Sequence, residues 1–161
     1  MEIRDLLPGD IAQITEIYNH HVLNTTVLFE TEPYSEDDMT RKLQEIMQSY
    51  PLIVGEEDGC VVGFAYAHSW KSKPAYNTTV ESTLYIREDK KSKGYGSELL
   101  KELIKRCRKA GFHAMIACIT AENSESVIFH ESHGFRQASR FCQVGRKFGR
   151  WLDVVDYELI L

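Results

Sequence analysis

The sequence predicts an α/β (α+β) fold in which a mixed central β-sheet carries helices on both faces, and three observations predict it. Segments with apolar residues at helical spacing alternate with short β-rich runs. Their order, βααβββαβαββ, implies a mixed sheet rather than a bundle or a sandwich. No internal repeat, low-complexity tract or Pro/Gly/Ser-rich linker breaks the chain, and 161 residues with 43% hydrophobic content suit one core. Residues 1–161 are therefore expected to form a single domain.

The elements follow in order. Residues 2–5, EIRD, read as a short strand. Asp10 is placed to cap a helix whose buried face carries Ile11, Ile14, Ile17, Tyr18 and Val22. Residues 23–34 read as a loop. Ser35 with Asp38 three residues on forms a capping-box pattern ahead of a second helix with Met39, Leu43, Ile46 and Met47, ended by Pro51. Residues 51–70 are two β-rich runs joined at Asp58-Gly59, the signature of a hairpin. Residues 78–86, TTVESTLYI, predict a further strand, and Leu99, Leu100, Leu103, Ile104 and Cys107 give the next helix one apolar stripe. A strand at 112–120, a short helix from Asn123, and β-rich runs at 135–145 and 151–161 complete the chain.

Composition narrows the function classes. A formal charge of -5 argues against nucleic acid as the main partner. No apolar run approaches the roughly 18 residues of a membrane span, and the first residues lack the pattern of a signal peptide, so a soluble, cytoplasmic protein without a membrane partner is expected. Cys60, Cys107, Cys118 and Cys142 form no CxxC pair and read as small hydrophobes, with neither a disulfide framework nor a zinc site.

The stretch KKSKGYG, residues 90–96, sets lysines and glycines directly before a helix. Such a turn lets backbone N–H groups approach an anion, and the helix dipole favours negative charge there. A tight turn with solvated lysines would use the same residues. Neither the G-x-x-x-x-G-K-[ST] loop nor the G-x-G-x-x-G fingerprint is present. The loop KSKGYG resembles the R/Q-x-x-G-x-G/A loop of the GNAT N-acetyltransferase superfamily. FETEP (29–33), TVESTLYI (79–86), NSESVIFHESHGF (123–135) and VGRKFGRWLDV (144–154) extend the resemblance over nearly the whole chain, to the phosphinothricin and methionine sulfoximine N-acetyltransferase branch. Lys91 departs from the pattern, standing where Arg or Gln is usual and lacking the planar fork of arginine. The resemblance implies a GNAT fold, acetyl-CoA as co-substrate, a small-molecule amine acceptor and a homodimer. It assigns Lys91, Ser92, Lys93, Gly94, Tyr95, Gly96 and Ser97 to the coenzyme pyrophosphate. Asn123 and Ser126 fall to the pantetheine arm, and the strand Leu84-Tyr85-Ile86 is to supply the oxyanion donor beside a splayed neighbour.

Acetyl transfer to an amine needs a base for the amine, donors for the oxyanion and a proton for the departing thiolate. Glu81 stands in a weakly polar strand, where a carboxylate is disfavoured unless it meets a cavity, a partner or solvent. The resemblance makes it the base, and burial would have to raise its pKa for that work. His130 shares a helix face with Asn123 and falls where the branch has histidine, as general acid or second base. His130 and His133 are i,i+3, but no third ligand is suitably spaced and no metal is expected. Cys118 in an apolar strand would be an unreactive thiol, so direct attack is expected rather than an acyl-enzyme. For a small amino acid acceptor, Phe29, Thr31, Trp70, Lys71, Lys73 and Tyr76 supply aromatics and cations, although both lysines also suit a solvated loop. Lys147, Phe148 and Trp151 could complete the pocket or form a dimer contact.

Overall fold

A computed structural model describes residues 1–161. Strands β1 (Glu2–Arg4), β2 (Leu52–Glu57), β3 (Cys60–Ser69), β4 (Thr79–Ile86), β5 (Ala114–Thr120), β6 (Arg136–Lys147) and β7 (Arg150–Ile160) form one sheet in the order β1-β2-β3-β4-β5-β7-β6. Helices α1 (Ile11–Asn24) and α2 (Glu36–Met47) cover one face, with α3 (Tyr95–Lys109) and α4 (Ser124–Ser132) on the other. The predicted element order holds throughout.

The helical stripes decide which face each helix covers. Ile14, Ile17, Tyr18 and Val22 of α1 and Met39 and Leu43 of α2 bury against Val54, Phe64, Tyr66 and Tyr85 of the sheet. Leu99, Leu100, Leu103, Ile104 and Cys107 of α3 bury against Ala65, Val80, Met115 and Ala117 from the opposite side. Each such side chain is worth about 1.5–3 kcal/mol when fully withdrawn from water. Met47, expected inside, is 47% exposed at the last turn of α2. No helix is long and apolar enough to cross a membrane.

Local chemistry sets the ends of the elements. The Ser35 hydroxyl accepts from the Asp38 N–H at 3.1 Å while Asp38 accepts from the Ser35 N–H, as the capping box requires. Asp10 sits at the start of α1 but makes no capping bond. Its carboxylate accepts from Arg4 at 2.7 and 2.8 Å and from the Leu7 N–H, because a charged fork outcompetes a helix N–H. The Asp58-Gly59 hairpin forms as predicted, with both residues at positive φ. At the other end of the chain, β6 and β7 run further than expected and meet at a two-residue turn, Phe148-Gly149, also at positive φ. Of the four cysteines, which read as small hydrophobes, only Cys107 is buried; Cys60, Cys118 and Cys142 are exposed.

One irregularity in the sheet positions the site. Strands β4 and β5 are its only parallel neighbours, and they pair only from Thr79 to Glu81 against Ala114 to Ile116. Beyond that point the strands part, and a cleft opens through the sheet.

Candidate active site

The cleft has a volume of about 340 Å³ and is walled by Glu81 to Tyr85 of β4, Ala117 to Thr120 of β5, Val27 to Glu30 of the α1–α2 loop, and Asn123, Ser126, Phe129 and His130 at α4. Hydrogen-bond parity decides which β4 groups face the gap. The Arg87 N–H donates to Val62 on the β3 side, while Thr78 accepts from His113 and Ala114 on the β5 side. The β3–β4 register is unbroken between them. Alternation therefore turns the Thr83 and Tyr85 N–H groups towards β3 and those of Leu84 and Ile86 towards the gap, where no strand accepts them. Of the two, the Leu84 N–H lines the cleft and suits a developing oxyanion, and Tyr85 cannot supply one.

Glu81 stands where pairing stops. Burial, with the Asp156 carboxylate adding repulsion, pushes its carboxyl up to about 7. Its cross-strand partner is His68, whose Nε2 lies 3.8 Å from Glu81 Oε1. The separation would suit an ion pair, but burial lowers the His68 pKa as it raises that of Glu81, so a carboxyl facing a neutral imidazole describes the pair better. The His68 Nδ1 lies 3.0 Å from the Ser69 carbonyl, which can only accept. Nδ1 therefore carries the hydrogen, and the Nε2 lone pair is left on the Glu81 side.

The same logic applies to His130. Its Nδ1 donates to the Ser126 carbonyl at 2.8 Å, which leaves Nε2 without a proton, and burial lowers its pKa. His133 points elsewhere: Nδ1 donates to the Phe129 carbonyl and Nε2 accepts from the Ser97 hydroxyl, so the two histidines do not converge. Ser97 is thereby engaged with α4. The Asn123 side chain caps α4 by accepting from the Ser126 N–H at 3.1 Å. Cys118 is exposed at the cleft wall, yet desolvation around its thiol and the nearby Glu81 and Asp156 carboxylates push it up to about 12, far from a nucleophilic thiolate.

At the start of α3, Ser92 (φ 62) and Gly94 (φ 85) are left-handed, and the N–H groups of Ser92 to Gly96 have no acceptor within the chain. Such a cradle fits the pyrophosphate of acetyl-CoA. Lys91 pairs with Glu88 at 2.6 Å and Lys90 with Glu57 at 2.9 Å, which also accepts from the Tyr95 hydroxyl; Lys93 makes no ion pair. A Cβ on Gly96 would meet the Phe129 ring at 3.6 Å and the Ile86 side chain at 3.8 Å, both ordinary contacts.

Glu81, Leu84, Tyr85, Asn123, Ser126, His130 and Phe29 thus share one cleft, with Ile86 at its strand end. Thr31, Trp70, Lys71, Lys73 and Tyr76 do not line it. Lys71 instead lies 4.2 Å over the Trp70 ring. Lys147 is also outside: it is buried, and its ammonium donates to the Leu28 and His21 carbonyls, tying down the loop that carries Phe29. The Phe29 ring lies on Gly145, where a Cβ would collide with it. Sequence reasoning missed His68, Lys42, Tyr18, Tyr66 and Glu30, all of which line the cleft. Strand alternation could have placed His68 and Tyr66 on one face, but not opposite Glu81, because register is tertiary.

Residues 3–155 match the acetyltransferase (GNAT) domain family. The chain is 38% identical over 162 residues to the L-amino acid N-acyltransferase MnaT of Escherichia coli, covering all of this chain and 94% of that protein. It is also 38% identical to the L-methionine sulfoximine/L-methionine sulfone acetyltransferase of Salmonella typhimurium, over 100% of this chain and 95% of the relative. A GNAT superfamily phosphinothricin acetyltransferase from Sinorhizobium meliloti, solved in complex with acetyl-CoA, superimposes with a TM-score of 0.96 at 36% identity, covering 99% of this chain and 88% of that one. With a splayed β4–β5 pair, an open N–H cradle before α3 and these full-length relatives, the chain belongs to the GNAT family of acetyl-CoA-dependent acetyltransferases.

Proposed function

We propose that this single domain of residues 1–161 transfers the acetyl group of acetyl-CoA to the α-amino group of a small amino acid or analogue, by direct attack with both substrates bound. The observation that carries the reading is Glu81, a carboxyl held near 7 at the mouth of the strand gap. A base with a pKa near the working pH exists in its deprotonated form and still holds the proton it takes. The amine loses a proton to Glu81 as its nitrogen attacks, the N–C bond forms, the C–S bond breaks, and the proton held by Glu81 passes to the departing CoA thiolate, which leaves as the thiol. The Leu84 N–H stabilises the oxygen that gains charge. His130, with Nε2 free of a proton, serves as second base or relay, and acts as an acid only after collecting a proton. The N–H groups of residues 92–96 and the Lys93 ammonium hold the pyrophosphate, and Asn123 and Ser126 face the pantetheine arm.

The names of the relatives support an amino acid acceptor. The exposed apolar side chains Phe141, Val144, Phe148 and Trp151 on the β6–β7 hairpin support a homodimer through that face. Four free cysteines and the use of acetyl-CoA support the cytoplasm as the compartment.

The test is CoA release from acetyl-CoA with purified protein against phosphinothricin, methionine sulfoximine, methionine sulfone, the free amino acids and N-terminal peptides. Turnover confined to the amino acids and analogues is expected. Turnover of peptides alone would move the acceptor to a protein N-terminus, and acetyl-CoA binding without any turnover would point to a sensor.

A further inference from the structure

We propose that Lys42 selects the acceptor by binding an anionic group on it, a carboxylate or a phosphinate, on the same side of the sheet as Glu81. The proposal rests on the reading of the site given above. Lys42 is the only lysine or arginine that lines the cleft. It projects from α2, its ammonium donating to the Tyr18 hydroxyl at 3.0 Å and lying 4.9 Å from the centre of the Tyr18 ring and 5.2 Å from that of Tyr34. One phenol oxygen occupies one of three N–H donors, and the two remaining donors have no acceptor in the chain.

No carboxylate pairs with it. Glu30, which also lines the cleft, acts on Lys42 electrostatically from beyond ion-pair distance, and its Oε1 accepts from the Tyr34 hydroxyl. Burial lowers the Lys42 pKa, so the site holds a partly desolvated cation that lacks a counter-ion. A ligand anion seated there would gain the attraction without the full cost of stripping water from the lysine. The tyrosine faces hold the ammonium in place, so less entropy is lost on pairing. Its field reaches His68, which stands beside Glu81. The other candidate cations lie outside the cleft: Lys71 lies over Trp70 and Tyr76, Lys147 is bound to backbone carbonyls, and Lys73 does not line it.

The deciding experiment compares wild type, Lys42→Met and Lys42→Arg on phosphinothricin, L-methionine sulfone and L-methionine sulfone amide. Lys42→Met keeps the apolar stem and removes the charge. The KM for anion-bearing acceptors should rise about tenfold or more in Lys42→Met, with kcat and the KM for acetyl-CoA changed less than about twofold. The amide should be unaffected, and Lys42→Arg should recover most of the loss. A rise for phosphinothricin alone assigns Lys42 to the side-chain tip, and an equal rise for phosphinothricin and the sulfone assigns it to the α-carboxylate; both support the proposal. Unchanged KM values for both, or an equal rise for the amide, would overturn it. A wild-type enzyme silent on all three compounds would overturn the functional reading itself, a failure seen without any variant.

Discussion

The loop at residues 91–97 and the Glu81–His68 pair both take part in the proposed reaction, yet they are made of different material. At the loop the proposed ligand is the main chain: five N–H groups stand open, and of the nearby lysines only Lys93 is free of an ion pair. At Glu81 the proposed reagent is the side chain, and its raised pKa comes from being withdrawn from water beside Asp156 and His68. A backbone cradle depends on conformation and tolerates changes in side chains that leave φ alone. A tuned carboxyl depends on its surroundings, and changes there alter rate before they alter binding.

The largest effect should come from removing the base. Glu81→Gln is expected to lower kcat by about 10²–10⁴-fold while acetyl-CoA binds normally; full activity across pH in the variant would remove Glu81 from the mechanism. The same change should stabilise the fold at pH 8. Holding a carboxyl near 7 rather than 4.5 disfavours its ionised form by about 3 kcal/mol, so the folded state loses stability as pH rises from 4.5 through 7 and Gln avoids the loss. Urea titration of both proteins at pH 5 and pH 8 would show the gap opening only at the higher pH.

Gly94→Asp comes next, striking the cradle instead. A left-handed φ of 85 costs a non-glycine residue about 1 kcal/mol, and the new charge repels a phosphate. Affinity for acetyl-CoA should fall about tenfold or more, as calorimetry would register, while the acid limb of any residual activity stays in place. A smaller effect sharpens the other side. The rate kcat/KM should rise with pH through about 7 as Glu81 loses its proton. Asp156→Asn removes the nearby negative charge, eases that ionisation and moves the limb to lower pH by a few tenths of a unit or more. The smallest effect is expected at Gly96→Ala, where an added Cβ finds 3.6 Å of room and acetyl-CoA kinetics should change less than about twofold.

Much of this was legible in the chain itself. Helical stripes, the Ser35 capping box, the Asp58-Gly59 turn and the Lys/Gly loop are short-range patterns, and each folded as read because its physics is local. Glu81 stood out as a charge in a weakly polar strand, and the four motifs named the family. Other features turned on contacts between distant residues. Asp10 preferred Arg4 to its own helix, and Lys147 went to the carbonyls of Leu28 and His21 rather than to the cleft. The β6–β7 turn placed Phe148 and Gly149 beyond the predicted strand ends.

The sequence by itself determined the fold class, the element order, the Lys/Gly turn ahead of α3 and the identity of the carboxylate worth examining. Only the tertiary structure decided where β4 and β5 part, which N–H groups of β4 face the gap, that His68 stands opposite Glu81, and that Lys42 is the cation in the cleft. The reason is physical. Propensity, capping and turn chemistry act over a few bonds, whereas strand register, burial and the pKa shifts that follow from them are set by residues tens of positions apart, and exist only once the sheet has closed around them.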